Sequence, residues 1–135
     1  MSRTFWLFVI ATTVGLAPGI IWDYLTPRDD ASIGAGLVVI AFPPICNCVA
    51  GWTCPPGNAL ENVRVTTCVW LGSSSITLPC FLITNLVSAA PVGVAVFVAI
   101  VQTAIIVGLS LLGARIGLAI RAGRSSSGHQ DRGVW

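Results

Sequence analysis

The stretch "FWLFVIATTVGLAPGIIWDYL" (residues 5–25) decides the fold class, because its only charged residue is Asp23, close to its end. A helix that crosses about 30 Å of hydrocarbon needs about 20 mostly apolar residues. Trp6 and Trp22 lie sixteen residues apart, which is roughly 24 Å along a helix. Since Trp prefers the lipid–water interface, the stretch predicts a transmembrane helix with an aromatic anchor near each end.

Three further stretches of similar length and composition follow, at residues 33–53, about 65–89 and about 92–120. Only 9% of the 135 residues are charged and the mean hydropathy is +0.87, whereas a soluble domain carries about 25% charged residues. The sequence therefore predicts an all-α, polytopic integral membrane protein with four transmembrane helices. Residues 1–124 form the membrane domain, and residues 125–135, rich in Ser, Gly and charge, are predicted to be a disordered cytoplasmic tail.

The second predicted helix contains Pro43-Pro44 near its middle. Proline has no N–H to donate and its ring collides with the preceding turn. We therefore expect this helix to be kinked, or to be broken into two half-helices whose freed carbonyls are satisfied by protein or water.

Arginine residues predict the orientation, because cytoplasmic loops of membrane proteins carry an excess of positive charge. With four spans, one side of the membrane carries only Arg28, beside Asp29 and Asp30. The other side carries six basic residues: Arg3, Arg64, Arg115, Arg121, Arg124 and Arg132. This asymmetry predicts a multi-pass protein of the cell membrane with both termini in the cytoplasm. The alternative is a cleaved signal peptide, which the long first apolar run and the absence of an A-x-A site disfavour.

Small and polar residues follow one face of the third and fourth predicted helices. Lipid drives helix association only weakly, so membrane helices pack through small residues and hydrogen bonds. Polar residues in a span also mark solute pathways, and both interpretations stay open here. The candidates for a pore lining or a packing face are Ser73, Thr77, Thr84, Asn85, Gln102, Gly113 and Gly117.

Four of the five cysteines surround the loop between the second and third helices: Cys46, Cys48, Cys54 and Cys68. The first two form a C-x-C pair and the other two stand alone, a spacing that does not match the C-x₂₋₄-C pairs of zinc sites. Cu(I), a softer ion, accepts thiolate ligands with less demanding geometry. Buried thiols with no special role, a soft-metal site and, if the orientation were reversed, a disulfide are therefore the three alternatives.

The sequence contains none of the motifs that indicate an enzyme, a nucleotide site or nucleic-acid binding. No cofactor is expected, and the predicted partner is the lipid bilayer together with further copies of the chain or a larger membrane complex. The leading hypothesis is a non-enzymatic structural or accessory subunit. The alternatives are a small oligomeric pore or permease, and a membrane thiol protein that binds a soft metal.

Overall fold

The computed structural model describes residues 3–25, 31–54, 59–88 and 91–130. The described chain forms four α-helices and no strand, and every helix is long and apolar enough to cross a membrane. The all-α prediction with four potential membrane spans is therefore confirmed. In chain order the helices are α1 (Arg3–Leu25), α2 (Ala31–Thr53), α3 (Ala59–Val87) and α4 (Val92–Gln130).

Two helices are longer than the apolar patterns predict. α3 begins six residues before the predicted start at Val65, because "ALENVR" (residues 59–64) contains good helix formers, and Glu61 in the first turn complements the helix dipole. α4 continues to Gln130, beyond the predicted end at Ile120 and beyond the proposed boundary at Arg124. The division into a membrane domain and a disordered tail stays a prediction, and residues 131–135 lie outside the described residues.

α2 forms one helix through Pro43 and Pro44, so the predicted break is not found, while the kink stays a prediction. Because Pro43 and Pro44 lack N–H groups, the carbonyls of Val39 and Ile40, four residues earlier, lose their helical donors. One turn further along α2, the Asn47 side chain donates its Nδ2 hydrogen to the Pro43 carbonyl at 2.8 Å, in addition to the backbone bonds of the helix.

The helices form a four-membered bundle in which α1 and α4 each pack against both α2 and α3. Two GxxxG pairs enclose α2: Gly15 and Gly19 of α1 face it on one side, and Gly113 and Gly117 of α4 on the other. A Cβ added at Gly15 would lie 2.6 Å from Pro43 Cα, and one added at Gly113 would collide with the Pro44 carbonyl oxygen. The backbones of three helices therefore meet at the two prolines.

Below this crossing, towards the α2–α3 connection, the bundle is sealed by apolar packing. A buried cluster there is formed by Phe8, Ala50, Cys54, Val69 and Ala114. The side chains on the outside of the bundle are predominantly exposed Ile, Leu, Val and Trp, as expected of a surface that contacts lipid.

Candidate functional site

Polar side chains from α1, α2 and α3 meet inside the bundle, near the middle of their predicted spans. Thr12, Asn47, Ser73 and Thr77 are all fully buried. Asn47 Nδ2 donates to Thr12 Oγ1 at 3.2 Å, and Thr12 Oγ1 lies 3.0 Å from Ser73 Oγ in a second hydrogen bond. These interhelical hydrogen bonds link three helices, which is the typical role of hydroxyl and amide groups within a membrane bundle.

α4 contributes Ser110 to the same depth of the bundle. Asn85 and Gln102 are hydrogen-bonded across the antiparallel helices α3 and α4. Thr77 lies eight residues before Asn85 and Ser110 lies eight residues after Gln102, so this register places the two at the same level. Ser110 is fully buried, and its Oγ and the Oδ1 of Asn47 have no hydrogen-bond partner among the described residues. We call Thr12, Asn47, Ser73, Thr77 and Ser110 the central layer.

A cavity of about 310 Å³ lies between the central layer and the end of the bundle where α3 is followed by α4. All four helices line this space, which we call the Gln102 cavity, and Leu16 of α1 and Ile106 of α4 lie at its deeper end. Its polar side chains come from α3 and α4, and Val39 and Ile40 of α2 also line it. The two α2 residues whose carbonyls lose helical donors are therefore part of the cavity wall.

The amide side chains of Asn85 and Gln102 are oriented by their hydrogen bonds. Asn85 Nδ2 donates to the Phe81 carbonyl at 2.8 Å, which requires the nitrogen rather than the oxygen at that position. The same nitrogen donates to Gln102 Oε1 at 3.1 Å. Because an amide nitrogen has two hydrogens, Asn85 Nδ2 is then saturated, whereas Asn85 Oδ1 and Gln102 Nε2 are not used by this pair.

The structure divides the polar residues that the sequence assigns to one face. Ser73 and Thr77 belong to the central layer, whereas Thr84, Asn85 and Gln102 line the Gln102 cavity. Thr84 Oγ1 donates to the Cys80 carbonyl at 2.9 Å, so this hydroxyl retains only its acceptor capacity. The candidate lining residues are thus close to one another in the bundle, but at two different depths.

Gly113 and Gly117 lie on a helix-packing surface rather than in the cavity. Added Cβ atoms there would collide with the carbonyl oxygens of Pro44 and Cys48. The sequence analysis did not include Thr12, Asn47 or Ser110 among the candidates. The signal that could have identified Asn47 is its position four residues after a proline, in a span with few other strongly polar residues.

The four candidate metal-binding cysteines are not brought together. Cys54 and Cys68 pack in the same cluster, but in the described part of the chain no three His, Cys, Asp or Glu side chains could share one metal ion. All five cysteines lie in described segments and none forms a disulfide. Burial raises the pKa of Cys54, against the lowering effect of Arg121, so this thiol is protonated at neutral pH. A thiolate ligand at this position would require that proton to be lost.

Arg121 of α4 caps the C-terminus of α2. Its Nη1 lies 3.0, 2.9 and 2.8 Å from the carbonyl oxygens of Trp52, Thr53 and Cys54, which share its two hydrogens. The last carbonyls of a helix lack intrahelical donors, and a cation there also complements the helix dipole. The Arg124 guanidinium lies 5.8 Å from the centre of the Trp52 ring. Two predicted cytoplasmic charges therefore hold α4 against the end of α2.

Comparison of the chain with protein-family models, with curated proteins and with solved structures finds no match.

The polar groups in the interior of the bundle belong to few chemical types. Among the described residues, the buried polar side chains are hydroxyls and one amide, and no Asp, Glu, His, Lys or Arg side chain is buried.

Proposed function

We propose that the chain is a non-enzymatic, multi-pass protein of the cell membrane that serves as a structural or accessory subunit. The arginine asymmetry of the sequence supports the orientation with both termini in the cytoplasm. The GxxxG pairs of α1 and α4 contact α2 of the same chain. A partner must therefore use another surface.

The observation that favours one surface is a groove between α3 and α4 on the outside of the bundle. Ala104 and Gly108, one helical turn apart and both exposed, lie along it, and a Cβ added at Gly108 would meet nothing within 4 Å. Thr103 also lines the groove, but it is only 8% exposed and its Oγ1 is enclosed by the chain itself. Small residues such as Ala104 and Gly108 permit close approach of a helix backbone. The proposed occupant is therefore a transmembrane helix of a partner protein.

The test fills the groove without disturbing the bundle. Gly108→Leu places a side chain in the groove, and Gly93→Leu is the matched control, because Gly93 is also unobstructed and lies outside the groove. We expect the wild type and Gly93→Leu, extracted in native lipid discs, to hold one partner at fixed stoichiometry by native mass spectrometry, and Gly108→Leu to lose it. Isolation of the wild type without a partner, or equal retention by both variants, would contradict the proposal.

A pore or permease is the second candidate, and the Gln102 cavity is the observation that favours it. The predicted lining residues Thr84, Asn85 and Gln102 line this space, whereas the other two, Ser73 and Thr77, lie beyond it in the central layer. The apolar cluster around Phe8 and Val69 opposes an open passage through one chain. Uptake of small neutral solutes by vesicles that contain the protein tests this function. Uptake that falls on Thr84→Ala supports it, and uptake equal to that of empty vesicles argues against it.

A further inference from the structure

The Gln102 cavity has the size and chemistry of a site for a small uncharged molecule. Its volume of about 310 Å³ is at the lower end of the range of ligand pockets, about 300–1,000 Å³. No residue that lines it is charged, so an ion would lose its hydration without gaining an ionic partner, which is strongly unfavourable. A neutral occupant avoids this cost.

The hydrogen-bonding groups of the cavity define what that occupant must offer. Gln102 Nε2 supplies a donor and Asn85 Oδ1 an acceptor, since the bond between these two residues uses only their other amide atoms. Val39 and Ile40 of α2 also line the cavity and add aliphatic surface beside these two groups. A hydroxyl both donates and accepts, so it matches this set with one small group.

The remaining wall is apolar. Leu16, Ile105 and Ile106 contribute aliphatic surface next to the amide pair. A molecule with a hydroxyl and a short aliphatic portion would therefore bury apolar surface while pairing the polar atoms. A molecule without the hydroxyl would leave the amide groups unpaired in an environment of low polarity, which is unfavourable.

We propose that the Gln102 cavity is a binding site for an uncharged aliphatic alcohol. The hydroxyl would lie between Asn85 Oδ1 and Gln102 Nε2, and the aliphatic part would contact Leu16 and Ile106. The alcohol comes either from the bilayer, as an amphipathic molecule, or from water, as a small polyol. This inference does not rest on the proposed accessory function, because the partner groove and the cavity are lined by different residues.

The experiment is photolabelling in lipid vesicles with an octanol that carries a diazirine group, followed by mapping of the labelled peptides by mass spectrometry. We expect saturable labelling of α3 and α4 residues of the cavity. Competition by unlabelled octanol assigns the alcohol to the bilayer, and stronger competition by glycerol assigns it to the water phase. The corresponding diazirine-bearing alkane, without the hydroxyl, should label the cavity about threefold to tenfold less, the ratio expected for one net hydrogen bond.

Two variants test the site itself. Gly36 lines the cavity and a Cβ added there would meet nothing within 4 Å, so Gly36→Leu should occupy the space and abolish labelling. Gly93→Leu, the control at an unobstructed glycine outside the cavity, should label like the wild type. Gln102→Leu removes the amide donor and should lower labelling by the alcohol to the level of the alkane.

Three results would overturn the inference. Labelling spread over the lipid-facing surface, equal labelling by alcohol and alkane, or no competition by either octanol or glycerol would each mean that the cavity does not select a hydroxyl. If Gly36→Leu fails to fold, as judged by elution and helix content, the decision rests on Gln102→Leu. In that variant, unchanged preference for the alcohol over the alkane contradicts the assignment.

Discussion

The close contact of α4 with α2 makes the stability effect of a single methyl group depend on its position along α4. Gly117→Ala adds a Cβ that would collide with the Cys48 carbonyl oxygen and lie 2.8 Å from the Trp52 backbone nitrogen. Both neighbours are backbone atoms within a helix, so they cannot rotate away as a side chain can. The two helices must move apart to accommodate the methyl group.

The expected magnitude combines two opposing contributions. Alanine is favoured over glycine within a helix by about 0.8–1.0 kcal/mol. Overpacking that forces backbone shifts costs typically about 1–3 kcal/mol. Gly108→Ala is the matched control in the same helix, because its Cβ would meet nothing within 4 Å. We expect Gly108→Ala to be neutral or stabilising and Gly117→Ala to be less stable than that control by about 1–3 kcal/mol.

Reversible unfolding in mixed micelles, followed by far-ultraviolet circular dichroism and by the fluorescence of the native Trp residues, measures this difference. The comparison between the two alanine variants cancels the helix propensity, which is common to both. Equal stability of Gly117→Ala and Gly108→Ala would refute the packing of α4 on α2. An intermediate result at Gly113→Ala, whose Cβ would meet Pro44 atoms, would further locate the contact along the helix.

Three other predictions concern the cap, the central layer and the orientation. Arg121→Gln should destabilise the bundle by about 1–2 kcal/mol in the same unfolding assay, because the last carbonyls of α2 lose a charged donor. Arg121→Lys should recover part of the loss, and equal stability of the wild type and both variants would contradict the cap. Thr12→Val and Ser73→Ala should show a coupling energy of about 0.5–1 kcal/mol in a double-mutant cycle, and strict additivity would mean that their hydrogen bond contributes nothing. The orientation is tested with a membrane-impermeant maleimide and single-cysteine variants that lack the native cysteines. Tyr24 and Glu61 are both exposed and lie at opposite ends of the bundle, so Tyr24→Cys should be labelled in intact cells and Glu61→Cys only after the cells are opened. The reverse pattern would invert the proposed orientation.

The number and type of helices could be predicted because hydropathy and length depend only on local sequence. Each predicted span corresponds to one observed helix, and the differences concern the residues at which the helices begin and end. At the start of α3, the criterion of apolar composition missed "ALENVR", a segment that is polar but favourable for a helix. A hydropathy scale measures the transfer of side chains into lipid, so it does not detect helix propensity in a polar segment outside the lipid.

The arrangement of the helices could not be predicted, because several of them carry small-residue faces that are equivalent in the sequence. Nothing in the spacing of Gly15 and Gly19 or of Gly113 and Gly117 indicates that both pairs contact the same helix. The sequence assigns Ser73, Thr77 and Thr84 to one face of α3, and the helical period alone does not indicate that the structure divides this face by depth. Thr84 lies seven residues from Thr77, roughly 10 Å along the helix, and it therefore meets a different part of α4.

Depth also determines which part of the bundle governs stability and which part is able to bind a ligand. On the side of the central layer towards Cys54, Gly51, Gly113 and Gly117 bring α2 and α4 into backbone contact and leave no space between them. On the other side, Gly36 has open space around it and the Gln102 cavity lies among the four helices, where Gly19 keeps α1 in contact with Val39 of α2. Pro43 and Pro44 lie at the boundary, where they permit the close crossing and also remove the helical donors of the Val39 and Ile40 carbonyls. Substitutions in the cavity should consequently change binding with little effect on unfolding, whereas substitutions at the glycine contacts should do the opposite.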